Sequence, residues 1–425
     1  MKLFKSISVY SSVSIITSGV SFLLLPILTK HLSKADYGIL SLFNATTRFF
    51  GILISLGVVN ILVTYLFKKD KTSLASYFKA FYILIIINCF IISFIFGISL
   101  SFFSDFFGIP KNIALFIPLI ATAVIFYELI ISLMIYKQQV KVYAITSLSK
   151  FAIEILLTIF FVVILLYKWE GRLLSLVLSL TCISLLGIRY LKKETLLRGA
   201  FNIKKLKKLI FLGPPLILMD LSTVILNLSD RFFIENLIGI EETGIYGIGY
   251  VVGSIVLLGL NGLINVFRPL IYEKIKIYKL ESHSLLKMSV NFISILLLLT
   301  LLVTFIVNDF IFTFFIDYKF SPSKEIVFPI ALGFFFWGIY SFYISYYIYL
   351  KKNNLIILFS ALSIVLNLVL NYFLVLKFNI IGAAYATLIT YFILGFTVYL
   401  IYVLKLNPNF YIDKNMIEKV KTIFW

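Results

Sequence analysis

Apolar runs of about 20 residues or more recur from one end of this chain to the other, and at about 1.5 Å rise per residue each covers a hydrocarbon core about 30 Å thick. Lipid offers backbone groups no hydrogen-bond partner, so segments that cross it are helices or closed barrels. The runs are continuous rather than alternating, which selects helices. No water-soluble fold hides so much apolar surface. Of the 425 residues, 61% are hydrophobic and 13% charged, against roughly half and a quarter in soluble domains.

The hydropathy pattern predicts an all-α polytopic membrane protein of about 12 spans, at residues 8–29, 39–66, 76–101, 112–136, 143–167, 171–191, 209–234, 243–270, 284–308, 325–350, 353–376 and 380–404. The first is read as a retained span, because no small-residue cleavage site follows it. A net charge of +19 invites a nucleic-acid reading, but the placement of the basic residues points elsewhere. With the N-terminus inside, 26 Lys and Arg fall in cytoplasmic segments and eight in outer loops, the positive-inside asymmetry that puts both termini in the cytoplasm. The longest polar connection, Leu191 to Lys208, is basic and near the middle of the chain. The expected organisation is a six-helix lobe over 1–191, a linker along anionic headgroups over 192–208, a second lobe over 209–404, and a tail over 405–425. In that tail Met416, Val420 and Phe424 recur every fourth position, with Lys414 and Lys421 able to reach headgroups, as in a surface amphipathic helix.

Internal comparison supports two halves. HLSKADYGIL from His31 aligns with LIGIEETGIY from Leu237, placing Asp36 and Gly38 on Glu242 and Gly244. Further on, Pro118, Tyr136, Lys141 and Gly171 fall on Pro329, Tyr347, Lys352 and Gly382. Six spans is an even number, so the repeat is parallel, about an axis along the membrane normal.

No enzyme constellation is present. His31 and His283 lie in loops without a second His or a Cys nearby, and Cys89 and Cys182 sit in separate apolar runs as packed thiols. No metal or cofactor is implied, and the outer loops, none much above twenty residues, hold no catalytic domain. Gly244, Gly247, Gly249 and Gly253 suit close helix packing rather than a nucleotide loop, since no strand precedes them.

The informative residues are charges inside spans, each costing about 2.5 to 3.5 kcal/mol at a helix centre on insertion scales. Arg48 lies near the midplane of span 2 and Asp220 at similar depth in span 7. Glu128 in span 4, and Lys150 with Glu154 one turn later in span 5, are nearer the cytoplasm; Asp230, Arg231 and Glu235 cluster at the outer end of span 7. Lys150 and Glu154 suit an i,i+4 ion pair, and Asp230 and Arg231 an interfacial anchor or a substrate contact. A midplane guanidinium faces either a cavity or a buried carboxylate, here Asp220 or Glu128. Asn227, Asn261, Asn265, Asn367 and Asn371 suit interhelical hydrogen bonds.

Three segments carry a family resemblance: LPILTKHLSKADYGILSLF from Leu25, NLSDRFFIENLIGIEETGIYGIGY from Asn227, and LNLVLNYFLVLKFNIIGAAYATLITY from Leu366. They resemble Wzx-type polysaccharide repeat-unit exporters of the multidrug/oligosaccharidyl-lipid/polysaccharide superfamily. The resemblance implies two six-helix lobes around a central cavity in a bacterial cytoplasmic membrane. It also implies alternating access, and a polyprenyl-diphosphate-linked glycan, such as an O-antigen or capsule unit, as substrate. Arg48, Lys150 and Arg231 would contact substrate, and Asp220, Glu128, Glu154 and Asp230 would couple transport or hold helices together. Membrane lipids, and the polymerase and chain-length machinery, are the expected partners. Two alternatives remain: a cation-coupled multidrug exporter of the same superfamily, against which deep Arg48 argues, and a membrane-embedded polymerase or glycosyltransferase, against which the short loops argue.

Overall fold

The computed structural model describes Val13, Thr17, residues 20–59, Leu62, and residues 71–278, 282–350 and 352–403. The expected tail at 405–425 therefore lies outside the described residues, as does much of the stretch expected to begin span 1. The first half contains α1 (Leu25–His31), α2 (Lys34–Ser55), α3 (Lys71–Ile98), α4 (Leu100–Phe107), α5 (Ile117–Tyr136), α6 (Val140–Thr158) and α7 (Lys168–Lys193). The second contains α8 (Ile203–Leu228), α9 (Asp230–Leu237), α10 (Ile240–Gly253), α11 (Ile255–Tyr278), α12 (Ser282–Leu302), α13 (Asn308–Phe314), α14 (Lys324–Tyr349) and α15 (Asn353–Ile401). Among the described residues there is no strand.

Among the described residues nine helices are long and apolar enough to cross a bilayer, and α8, bent by 42° between Pro214 and Leu216, adds a tenth. A helix of 49 residues such as α15 would be about 74 Å long, more than twice the hydrocarbon thickness. Asn379, at φ 53° and ψ −140°, divides it into two crossings, in the gap expected between the last two spans. With α1 the count comes to about twelve. Outward stripes such as Ile86, Phe90 and Phe94, each more than 60% exposed, would be costly in water but are at home against acyl chains.

The interior divides in two. One apolar core runs from Val13 to Leu209; the other runs from Leu226 to Tyr402 and takes in Leu25 from the N-terminal half. The halves meet where α2 crosses α10, and they meet through the repeat-related glycines. A Cβ on Gly38 would overlap the carbonyl oxygen of Ile240, and one on Gly244 would overlap that of Lys34 and lie 3.0 Å from the Gly38 nitrogen. Backbones approach this closely only where side chains are absent.

Asp36, one residue of the same repeated motif, has a local task. It closes a capping box on α2: its backbone N–H donates to Ser33 Oγ at 3.1 Å, and its carboxylate accepts from the Ser33 N–H at 2.8 Å. Two otherwise orphaned donors at the helix start are thereby satisfied.

Three expectations need correction. Span 2 is not one helix over 39–66: α2 stops at Ser55, and Leu56 and Gly57 take positive φ of 52° and 64°. A Cβ on Gly57 would lie 2.9 Å from Asp220 Oδ2, and one on Gly213 would lie 3.0 Å from the Leu56 side chain. The break in span 2 thus packs on the break in span 7, where Pro214 removes an amide donor and crowds the preceding turn. Second, Cys182, expected to be packed, is exposed on α7 whereas Cys89 is buried. Third, His31, expected in a loop, is the last residue of α1.

Candidate functional site: two cavities between the halves

On α2, Ser41, Asn44 and Arg48 are spaced i, i+3 and i+7, so the three side chains line one face. That face borders two cavities. The larger, about 410 Å³, is walled by Thr47, Arg48 and Ser55 of α2, by Tyr127, Glu128 and Ser132 of α5, and by Asp220 and Thr223 of α8. Three of the charges expected inside spans are thus brought to one cavity, two from the N-terminal half and one from the C-terminal. Arg48 and Glu128 are exposed to it and Asp220 half-buried. Arg48 forms no ion pair among the described residues, although Glu128 lies within its electrostatic reach. The salt bridge entertained for Arg48 is therefore not formed in this conformation; its guanidinium faces open space.

The smaller cavity, about 160 Å³, lies where the halves are in contact. It holds Tyr37, Ser41 and Asn44 of α2, Arg172 of α7, Arg231 of α9 and Val251 of α10. Arg231 is buried at 6% exposure. Its Nε donates to Ser41 Oγ across the lobe boundary and its Nη1 to the Asn227 carbonyl, each at 2.8 Å, while its guanidinium lies 4.5 Å from the Tyr250 ring.

Lys150 is placed differently from the other expected cations. It pairs with Glu154 one turn on, and its ammonium lies 5.8 Å from the Tyr127 ring. Glu154 is 3% exposed and also accepts from Arg172 at 2.6 Å, while Arg172 donates to Thr158 Oγ1 at 3.1 Å. One carboxylate thus joins two cations, leaving this cluster a formal positive charge. Arg172 is the functional candidate that sequence reasoning missed. A signal existed: Thr158 and Arg172 lie seven residues on either side of Leu165, so an antiparallel hairpin brings them to the same depth.

Asp230 turns away from the cavity, into the C-terminal half. Fully buried, it accepts from the Tyr246 hydroxyl, from Asn371 Nδ2 at 3.0 Å and from Thr387 Oγ1 at 3.0 Å. Asn367 Oδ1 accepts from Ser229 Oγ at 2.9 Å, and Asn227 Oδ1 accepts from the Tyr250 and Tyr391 hydroxyls at 3.0 and 3.2 Å. These asparagines make the interhelical bonds expected of them. Asn367 Nδ2 and Asn371 Oδ1 find no partner among the described residues. All three hydrogen bonds to this buried carboxylate come from neutral donors, and the neighbouring Arg231 guanidinium supplies the positive charge within electrostatic reach of it.

Residues 3–274 match the family model described as polysaccharide biosynthesis protein. A Haemophilus influenzae protein of the Lsg locus is 24% identical over 385 residues, covering 86% of this chain and 90% of that protein. Among solved structures, the inward-facing conformation of a multidrug resistance MATE family transporter superposes with a TM-score of 0.74 at 11% identity, over 90% of this chain and 93% of the other. The lipid II flippase MurJ in an inward closed conformation superposes with a TM-score of 0.69 at 15% identity, over 95% and 87%. With a family match over more than half its length, the chain belongs to the polysaccharide biosynthesis protein family, and its helical fold of about twelve spans is the one shared by these solved transporters.

Proposed function

We propose that this protein moves polyprenyl-diphosphate-linked oligosaccharide units from the cytoplasmic to the outer leaflet of a bacterial cytoplasmic membrane, by alternating access of its two lobes. The observation that carries the reading is Arg48, without an ion pair among the described residues, on the wall of a cavity between the lobes that it shares with Glu128 and Asp220. A diphosphate and its sugars cannot cross hydrocarbon unaided, because desolvating charge costs tens of kcal/mol in the Born limit. A guanidinium can replace water around the diphosphate with two parallel hydrogen bonds. Glu128 and Asp220 face the same space and are placed to accept from sugar hydroxyls, while the polyprenyl tail stays in lipid. The direct test is deletion of the gene: lipid-linked repeat units should accumulate on the cytoplasmic leaflet and clear on re-expression. Unchanged export of glycan would overturn the reading.

Two carboxylates beside one cation also favour a second reading, export of a cationic compound. It would show as loss of drug resistance, with no accumulation of lipid-linked glycan, in the same deletion strain.

Asp230 is assigned the coupling role, taking up a proton or small cation among its neutral donors. Asp230→Asn preserves a hydrogen-bonding group of the same shape and removes the charge, so folded protein should stay at its ordinary level while transport is lost. If transport persists with Asp230→Asn, the carboxylate is structural. Thermal-stability measurements on the purified variant separate the two outcomes.

The orientation follows from the basic residues. A cysteine at Lys205 should react with an impermeant thiol reagent only in opened membranes, and one at Glu241 in intact cells. The reverse labelling would invert the topology.

A further inference from the structure

The two cavities differ in charge. Arg48 shares the larger one with two carboxylates, whereas the smaller one presents Arg172 and Arg231, one from each lobe, with no carboxylate in its lining. Glu154 is already engaged with Lys150 and Arg172, and Asp230 is turned into the C-terminal half by its own three donors. Each guanidinium has more N–H groups than the two bonds it makes here. About 150 Å³ is enough for a benzene-sized guest, so this cavity, at about 160 Å³, suits a compact anionic group and not a glycan.

Directly behind it lies a largely apolar groove of about 530 Å³ on the N-terminal lobe, between α5 and α7, with Glu170 as the one carboxylate in its lining. Phe116, Leu119 and Leu174, each more than 40% exposed, form its open face. Leu173 lines both the groove and the guanidinium cavity. The step from Arg172 to Leu173 on α7 therefore sets a cationic chamber against an acyl-like surface across one side chain, the arrangement that fits a molecule with an anionic head and an apolar tail.

We propose that the Arg172–Leu173 step is where a polyprenyl diphosphate is divided, its diphosphate held between Arg172 and Arg231 and its tail leaving past Leu173 into the groove between α5 and α7. This rests on the reading of the protein as a lipid-linked glycan flippase. It adds a second station for the diphosphate beyond Arg48 and a route for the tail.

The test uses the full-length protein in nanodiscs and a polyprenyl diphosphate carrying a benzophenone in its tail. Photolysis should give adducts on Leu119, Ile120, Leu174 and Val177, and a polyprenol with the same label but no diphosphate should give about tenfold less, as expected when charge-assisted hydrogen bonds are lost. Leu174→Trp, at an exposed position, should remove the groove adducts while diphosphate binding persists. Arg172→Gln should lower them about tenfold, with partial recovery in Arg172→Lys. Saturable binding with adducts only on other helices would overturn the tail route and leave the flippase reading standing. An absence of saturable binding to the wild-type protein would count against the flippase reading itself.

Discussion

Replacing Gly244 with Val is expected to abolish transport by preventing the lobes from closing at the α2–α10 crossing. The added Cβ would overlap the Lys34 carbonyl oxygen and lie 2.9 Å from its carbonyl carbon. These are backbone atoms of a helix, so no rotamer change relieves the clash and the helices must separate. Overpacking of this kind costs about 1 to 3 kcal/mol, and 2 kcal/mol already shifts a two-state equilibrium about 30-fold. The same separation would pull Ser41 from Arg231, which now bonds across the boundary. A cysteine at Leu40, buried at this crossing, should become reactive to a thiol reagent in the Gly244→Val protein and stay protected in its absence. Gly38→Val should behave alike, because its Cβ would meet Ile240 from the other lobe. Normal transport by Gly244→Val would show that this crossing need not close tightly.

Arg48→Glu is expected to reduce export more than a hundredfold without lowering the amount of folded protein. Arg48 makes no ion pair among the described residues and is exposed to the cavity, so its loss leaves no buried carboxylate stranded. The change takes the formal charge of that wall from −1, with Glu128 and Asp220, to −3. It removes charge-assisted bonds worth about 1.5 to 3 kcal/mol each and adds repulsion toward a diphosphate. Arg48→Lys retains the charge but not the planar fork, and should lose about tenfold. Export of lipid-linked glycan measured beside membrane protein level decides the matter. A fall in folded protein would mean that Arg48 serves structure, and wild-type export by Arg48→Ala would show it dispensable.

The two variants probe different layers of information. That Arg48 meets either a cavity or a carboxylate was legible from its depth in an apolar run, because a guanidinium there has few other favourable places to point; only the structure sets it on a cavity wall. That Gly244 repeats Gly38 was legible, but not that the two would come within contact, since contact between lobes depends on their mutual rotation. Lys150 and Glu154 showed their pairing through i,i+4 spacing. Arg172 showed its depth only through the hairpin symmetry about Leu165, because its charge sits where a loop and a helix start read alike, and the packing of α6 against α7 brings it to Glu154.

By itself the sequence determined the solvent, the element type and the approximate span count, because apolar length and backbone satisfaction in lipid admit few solutions. It also marked the turn at Asn379 and the isolation of Arg48 among apolar neighbours. Only the tertiary structure decided which in-span charges share a space. Helix rotation and tilt follow from packing between helices, and hydropathy is blind to both. Hence Asp230 and Arg231, adjacent in the chain and within electrostatic reach of each other, have different surroundings: one is buried in the C-terminal lobe with neutral hydrogen-bond donors, the other lines a cavity shared with Arg172 from the N-terminal half. The break at Leu56 and Gly57 was equally hidden, because neither residue forbids a helix. It is the approach of the bent α8, with Leu216 and Asp220 against Gly57, that ends α2 there.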